Sequence, residues 1–559
     1  RRCGGANSVR LYVRPCTGAA LPHLHFFGFT AFRRQKSCES SHLTREVAEI
    51  IISPATKNCE KIEIYGDFTM KMNHFGETLR ALFQPRDLTQ GSCWRTILSF
   101  ATPVILSYLL QQIYTISDAA IVGQTLSAGE VAGVNDTTSI VAIFLQFAFG
   151  VSAGFCVVTS SRVGARDQAG VRRSLTTQIV LSAALTVLLT ALALVLLNPL
   201  LAWINVTPDS PEIYRAAFTY CAIIFGGTGA QLFYNFICSF LRSLGDSVTP
   251  LLFLLFSTVL NIGLDLLFII TFRWGVAGAA VATVTAQLVS TLACFAYAFA
   301  KYPELRLHRE DWRITRWDLR RHIVQGIPLG LQFSVLSVGI IVMQGCVVKF
   351  DMLDGAMVSS AAQNGFGAAN KVNTLMMTPL NALGAAMTSF TAQNLGAGRT
   401  DRVRKGTLQA LIIMVVIAAI VVMAGLLSSI GGAYLRLFLS TDKITAETIR
   451  YGNTLLYVDF SMYLFLGGIF VVRNCVQGIG QSGYVLGAGA AELVARIAVC
   501  LLLPPAIAGG AVSAAAPPLA FYALCAADPM AWIASDAVLL TPFIRNILRQ
   551  DYKYLRRNS

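Results

Sequence analysis

From about residue 98 to residue 545 the chain is a succession of apolar runs, each about 20 residues or longer and almost free of charge, cut by short polar loops. The runs lie near 98–122, 131–160, 174–204, 213–240, 249–272 and 276–300, then near 323–349, 356–391, 407–438, 448–472, 484–508 and 519–545. One aqueous globule cannot accommodate them: 55% of the 559 residues are apolar and 13% are charged, against roughly 25% charged in an ordinary soluble domain. The solvent for most of this chain is lipid. The pattern predicts an all-α integral membrane protein with about twelve transmembrane helices in two pseudo-symmetric six-helix bundles.

A formal charge of +14 would suit a nucleic-acid partner, but the Lys and Arg residues sit in short loops and at the two ends. Alternate loops are basic: Arg162, Arg166, Arg172 and Arg173; Arg242; the stretch 301–322; Arg399, Arg402, Arg404 and Lys405; and the tail beyond Arg545. The loops between them, such as 124–136 and 198–212, are poor in Lys and Arg. By the positive-inside rule the basic loops and both termini face the cytoplasm, and no nucleic acid is expected. The expected location is the plasma (inner) membrane. Thirteen cysteines lack CxxC spacing, and the six histidines form no HExxH motif, so neither a disulfide framework nor a transition-metal centre is expected.

Organisation follows from an internal repeat. Pro103 corresponds to Pro328; Gly164-Ala-Arg-Asp corresponds to Gly396-Ala-Gly-Arg399; Arg242 through Ser247 corresponds to Arg473 through Ser482. The offsets all fall between about 225 and 235 residues. We therefore expect a dispensable extension or mis-assigned start over 1–71, with Met72 as the natural start, and a cytoplasmic segment over 72–97. A first lobe then spans 98–300, a basic linker 301–322, a second lobe 323–545 and a tail 546–559. One chain supplies both lobes, so a monomer is expected.

The motifs on this framework resemble those of the multidrug and toxic compound extrusion (MATE) transporters of prokaryotic type, from about residue 87 onward. Asp87-Leu-Thr-Gln-Gly91 precedes Pro103, then Leu109-Leu-Gln-Gln-Ile-Tyr114 and Asp118-Ala-Ala-Ile-Val-Gly123. Arg242 with Gly245-Asp246 and Pro250, Asn261 with Asp265, Gly275 through Thr283, Gln393 through Gly398, and Arg473 with Gly478 and Gly480 follow in order. The resemblance implies two six-helix bundles around a central cavity, rocking between inward-open and outward-open states. It also implies protons or Na⁺ moving in as drugs move out.

By residue count, Asp118 and Asp265 lie at similar depth in outward-running helices, and Asn261 is one helical turn from Asp265. Tyr220 and Thr283 fall at comparable depth. An intramembrane carboxylate costs roughly 2.5–3.5 kcal/mol on insertion scales, so two of them need a reason. Two carboxylates on one apolar cavity suit proton exchange, and carboxylate, amide and hydroxyl oxygens equally suit a bare Na⁺. The resemblance points to the same residues as a cation-coupling site. The plainer reading keeps both aspartates solvated near the outer interface and makes Asn261 an interhelical hydrogen-bond residue.

The first helix of the second half, 323–349, has no acid, which favours coupling through the first lobe and protons over Na⁺. Glu492 and Arg496, four residues apart, read as a structural ion pair. Gln332, Phe333, Phe366, Met376 and Met377 are candidate cavity residues for flat organic cations, against ordinary packing. No protein-bound cofactor is expected beyond the proton or Na⁺. A flippase for lipid-linked saccharides would need a basic cavity, and the spans are nearly free of Lys and Arg apart from Arg473 and Arg496. A membrane-embedded enzyme would need a nucleophile with a base, or metal ligands, within the spans, and none is evident.

Overall fold

The computed structural model describes residues 85–550, which fall within one compact unit. The expected start at Met72, the extension before it and the end of the tail lie outside the described residues. The first half comprises α1 (Cys93–Thr125), α2 (Ala128–Gly164), α3 (Gln168–Val195), a short α4 (Leu197–Trp203), α5 (Pro211–Gly226), α6 (Thr228–Ser243), α7 (Val248–Asp265) and α8 (Gly275–Lys301). The second comprises α9 (Arg316–Val348), α10 (Ala361–Gly396), α11 (Thr400–Ser429), α12 (Ala446–Ser461), α13 (Tyr463–Gly478), α14 (Ser482–Ala508), α15 (Pro518–Cys525) and α16 (Ala527–Pro542). A two-stranded hairpin, β1 (Met352–Leu353) with β2 (Ala356–Met357), links α9 to α10.

Local chemistry sets the boundaries. A capping box between Ser127 and Glu130 opens α2, and a second, between Thr315 and Asp318, opens α9; each satisfies backbone N–H groups that the first helical turn leaves unpaired. Pro103 lies inside α1, Pro328 inside α9 and Pro379 inside α10. Neighbouring helices make such breaks in the hydrogen-bond ladder tolerable in a membrane.

Nine helical segments among the described residues are long and apolar enough to cross a bilayer, and two bent pairs raise this to eleven. The pairs are α5 with α6, bent by 46°, and α12 with α13, bent by 55°. The remaining segment of the expected twelve is α10. It is 36 residues long but rich in Asn, Gln, Thr and Gly, and its side chains are largely buried against other helices. Most of its length packs against other helices, so it needs little lipid-compatible surface.

The two halves meet along α2, whose glycines admit the backbone of the partner helices. A methyl group on Gly150 would strike Leu329 and Gly330, and one on Gly154 would strike Gln325 and Gly326. The basic ends of the helices repeat the contact reciprocally: Gly164 lies against the carbonyl of Gln393, and Gly396 against the carbonyl of Ser161. The first helix and the segment leading into it depart from the simple two-lobe division, because Leu88, Cys93, Ile97 and Phe100 pack into the core formed mainly by the second half.

Candidate functional site

The helices α1, α5, α7 and α8 bring Asp118, Tyr220, Asn261, Asp265 and Thr283 into one cluster. Asp265 and Asn261 are wholly buried, one turn apart on α7. Asp118 is half-buried on α1 and faces Asp265 closely enough for one carboxyl to hydrogen-bond the other when a proton is present. The Asn261 amide donates to Thr283 Oγ1 at 3.5 Å, at the outer limit for a hydrogen bond. Tyr220 is half-buried beside Asp118 and Asp265. Asp265 also ends the regular turn of α7: the next six residues, Leu266–Thr271, form a π-helix, a distortion frequent at functional sites.

The cluster is rich in acceptors and short of donors. Both carboxylate oxygens of Asp265, Oδ1 of Asp118 and Oδ1 of Asn261 are buried without a hydrogen-bond partner in the protein. Buried polar atoms are nearly always satisfied, and leaving a buried acceptor unpaired costs roughly 1–3 kcal/mol. A positive charge, as a proton on the carboxyl pair or a small hard cation among the oxygens, removes that penalty. Oxygen donors of this kind fit a proton or Na⁺. Among the described residues no cluster of three or more His, Cys, Asp or Glu side chains is placed to hold a metal ion.

One further side chain belongs to the cluster. Tyr114 is buried one turn before Asp118, and its unpartnered hydroxyl faces Thr283 and Gln287. The i, i+4 spacing of Tyr114 and Asp118 on α1 was the available signal.

The expected cavity residues do not converge in the same way. Phe366 is buried in the large core of the second half, and Phe333, Met376 and Met377 are half-buried against that core. The Phe333 ring meets Phe149 edge-on at 5.4 Å, across the junction of α2 and α9. Gln332 is buried against Gly489 of α14, with both amide atoms unpartnered.

The second half carries a separate charged network that the sequence reduced to a single ion pair. Arg473 of α13 bonds Glu492 at 2.7 Å and Ser535 at 3.0 Å. Arg496 lies 3.6 Å from Glu492 and 2.7 Å from Asp528. Asp459 is fully buried at the bend between α12 and α13, where the Asn373 amide donates to its Oδ2 at 2.6 Å and its Oδ1 has no partner.

Comparison with known proteins gives a consistent picture. The MatE family profile matches residues 103–267 and 340–502. The chain is 31% identical over 403 residues to a Bacillus subtilis protein named probable multidrug resistance protein YpnP, covering 72% of this chain and 86% of that one. It is 24% identical over 327 residues to a Shewanella oneidensis protein named FAD transporter, covering 57% of this chain and 68% of that one. Among solved structures it superposes on an outward-facing multidrug resistance MATE family transporter with a TM-score of 0.70 at 20% identity, covering 82% of this chain and 97% of the other.

Proposed function

The chain belongs to the MatE family of membrane transporters, and on that footing we propose that it is a secondary active multidrug exporter, antiporting amphipathic organic cations or drugs against protons or Na⁺ by alternating access. The observation that carries this reading is the acceptor-rich cluster on α1, α5, α7 and α8, where Asp118, Asn261 and Asp265 present buried oxygens that need a positive charge. In this mechanism the cluster exchanges its cation as access alternates, with Tyr220 and Thr283 completing its wall. Residues 98–300 and 323–545 act as the two moving lobes, joined by 301–322, in a monomer with both termini in the cytoplasm of the plasma membrane. The drug binds between the lobes, with Gln332, Phe333, Phe366, Met376 and Met377 contributing to its surroundings.

The test is efflux of a fluorescent organic cation from reconstituted liposomes under an imposed proton or Na⁺ gradient, for the parent and for Asp118→Asn and Asp265→Asn. Gradient-driven efflux is expected in the parent and lost in both variants, with the effective gradient identifying the ion. Parent protein that moves no dye under either gradient overturns the exporter reading; variants that transport like the parent overturn the site.

One relative's name supports a second reading, export of an anionic dinucleotide. Against it, Arg473 and Arg496 are committed to Glu492 and Asp528 and do not present free positive charge to an anion.

A further inference from the structure

The repeat allows the two lobes to be overlaid residue by residue where it is strongest. Gly245 precedes α7 with φ +88°, and Gly480 precedes α14 with φ +84°. These positive-φ glycines end the preceding helices in the same left-handed turn, which fixes the register of the helices that follow. Asn261 lies as far beyond Gly245 as Arg496 lies beyond Gly480. The equivalent of the amide at the heart of the first-lobe cluster is therefore a guanidinium.

The surroundings correspond in chemistry as well. In the first lobe Asn261 reaches Thr283 on α8, the last helix of that half. In the second Arg496 reaches Asp528 on α16, in the last span, through both Nε at 2.8 Å and a terminal nitrogen at 2.7 Å. Carboxylates gather around each position: Asp118 and Asp265 in the first lobe, and Glu492, Asp528 and the buried Asp459 in the second. In the first lobe the oxygens lack a positive partner. In the second, Arg496 supplies one from within the chain, and Arg473 neutralises the far side of Glu492.

We infer that Arg496 is a tethered cation: it permanently occupies the second-lobe equivalent of the first-lobe cation site, so that this lobe does not exchange a coupling ion and exchange is confined to Asp118 and Asp265. This rests on the first-lobe coupling reading, but its structural content is testable apart from transport. Removing the guanidinium while keeping the acids converts the plugged position into a site for a small mobile cation. A Lys keeps a fixed charge there and does not.

The experiment uses the full chain in detergent or nanodiscs, with Na⁺ as the probe and a bulky organic cation as the control salt. Arg496→Gln is expected to unfold at lower temperature than the parent in the control salt, to be stabilised by Na⁺ more than the parent and Arg496→Lys are, and to bind additional radiolabelled Na⁺ per chain. The gain should persist with Asp118→Asn, which separates it from the first-lobe site. If Arg496→Gln does not fold, the double variant Arg496→Gln/Asp528→Asn replaces it. The prediction is then that this double variant folds, because the excess negative charge is gone, and shows no Na⁺ response beyond that of the parent. Equal Na⁺ binding and equal Na⁺ response in the parent and Arg496→Gln overturn the inference, as does a double variant no easier to fold than the single. A parent that fails to move dye while Arg496→Gln gains a Na⁺ site would overturn the exporter reading and leave the tethered cation standing.

Discussion

Tyr114 brings a further hydroxyl donor to a cluster short of donors, being buried and within range of Asp118, Asp265, Thr283 and Gln287. A hydroxyl there can donate to a carboxylate or offer its oxygen to a cation. Its removal in Tyr114→Phe takes away one such interaction with little change of shape, worth about 1 kcal/mol or a little more. The expected result is an apparent affinity for the coupling ion weakened by up to about tenfold, read from the ion-concentration dependence of dye efflux, at unchanged expression; an unaltered ion dependence removes Tyr114 from the site. Asp118 and Asp265 were legible in the sequence because acidic side chains are rare in these spans, and Asn261 because it sits one helical turn from Asp265. Tyr114 was not, since a tyrosine in an apolar run reads as packing or as an interfacial anchor. The second-lobe network was only partly legible: Glu492 and Arg496 share a helix face, but Arg473, Asp528 and Asp459 join them from other helices, a meeting that only tertiary structure reveals.

The helices were read from the length of apolar runs, which does not register a bend. The breaks at Gly227 and Met462 leave composition continuous, so α5 with α6 and α12 with α13 each looked like one straight span. The run near 356–391 was read as a span and is a helix, α10, but its burial against other helices could not be told from its composition. The linker between the halves is ordered by charge: a short 3-10 helix, Arg309–Trp312, docks on α3 through Arg172 and Asp311 at 3.1 Å, while Asp318 at the start of α9 pairs with Arg162 at the end of α2. Burial works to raise the Asp311 carboxyl, but the His308 N–H and the Arg172 guanidinium outweigh it and hold it below the usual carboxylate range. A lowered folded-state value means the stabilisation is complete above the unfolded-state value of about 4 and is lost as pH falls through the folded one. Asp311→Asn should therefore be less stable than the parent by roughly 1–2 kcal/mol at neutral pH, with the difference shrinking below about pH 4. Thermal unfolding across that range checks it, and a difference independent of pH would rule out the ion pair as its cause.

At the scale of the two lobes, the decisive contacts sit at the basic face, and they obey the repeat. Gly164 meets Gln393, and Gly396 meets Ser161, so each lobe contributes a glycine to the other's helix end. A strap over Arg86–Gly91 closes over the same seam: Leu88 N–H donates to Gln393 at 3.3 Å, and Arg402 donates to the carbonyl of Gly91 at 2.6 Å. Glycine usually weakens a helix, and replacing it with Ala inside one stabilises by up to about 1 kcal/mol. At Gly396 the sign should reverse, because the added methyl would overlap the Ser161 backbone, which cannot swing aside as a flexible side chain would. Gly367 on the same helix has open space around it and serves as the control. If alternating access requires this seam to close, Gly396→Ala and Gly164→Ala should speed amide hydrogen exchange in residues 86–92 and 389–399 and slow dye efflux, while Gly367→Ala should do neither. Faster exchange with undiminished efflux would make the seam a contact that the transport cycle does not need, and parental behaviour in both measurements would mean that the lobes close elsewhere.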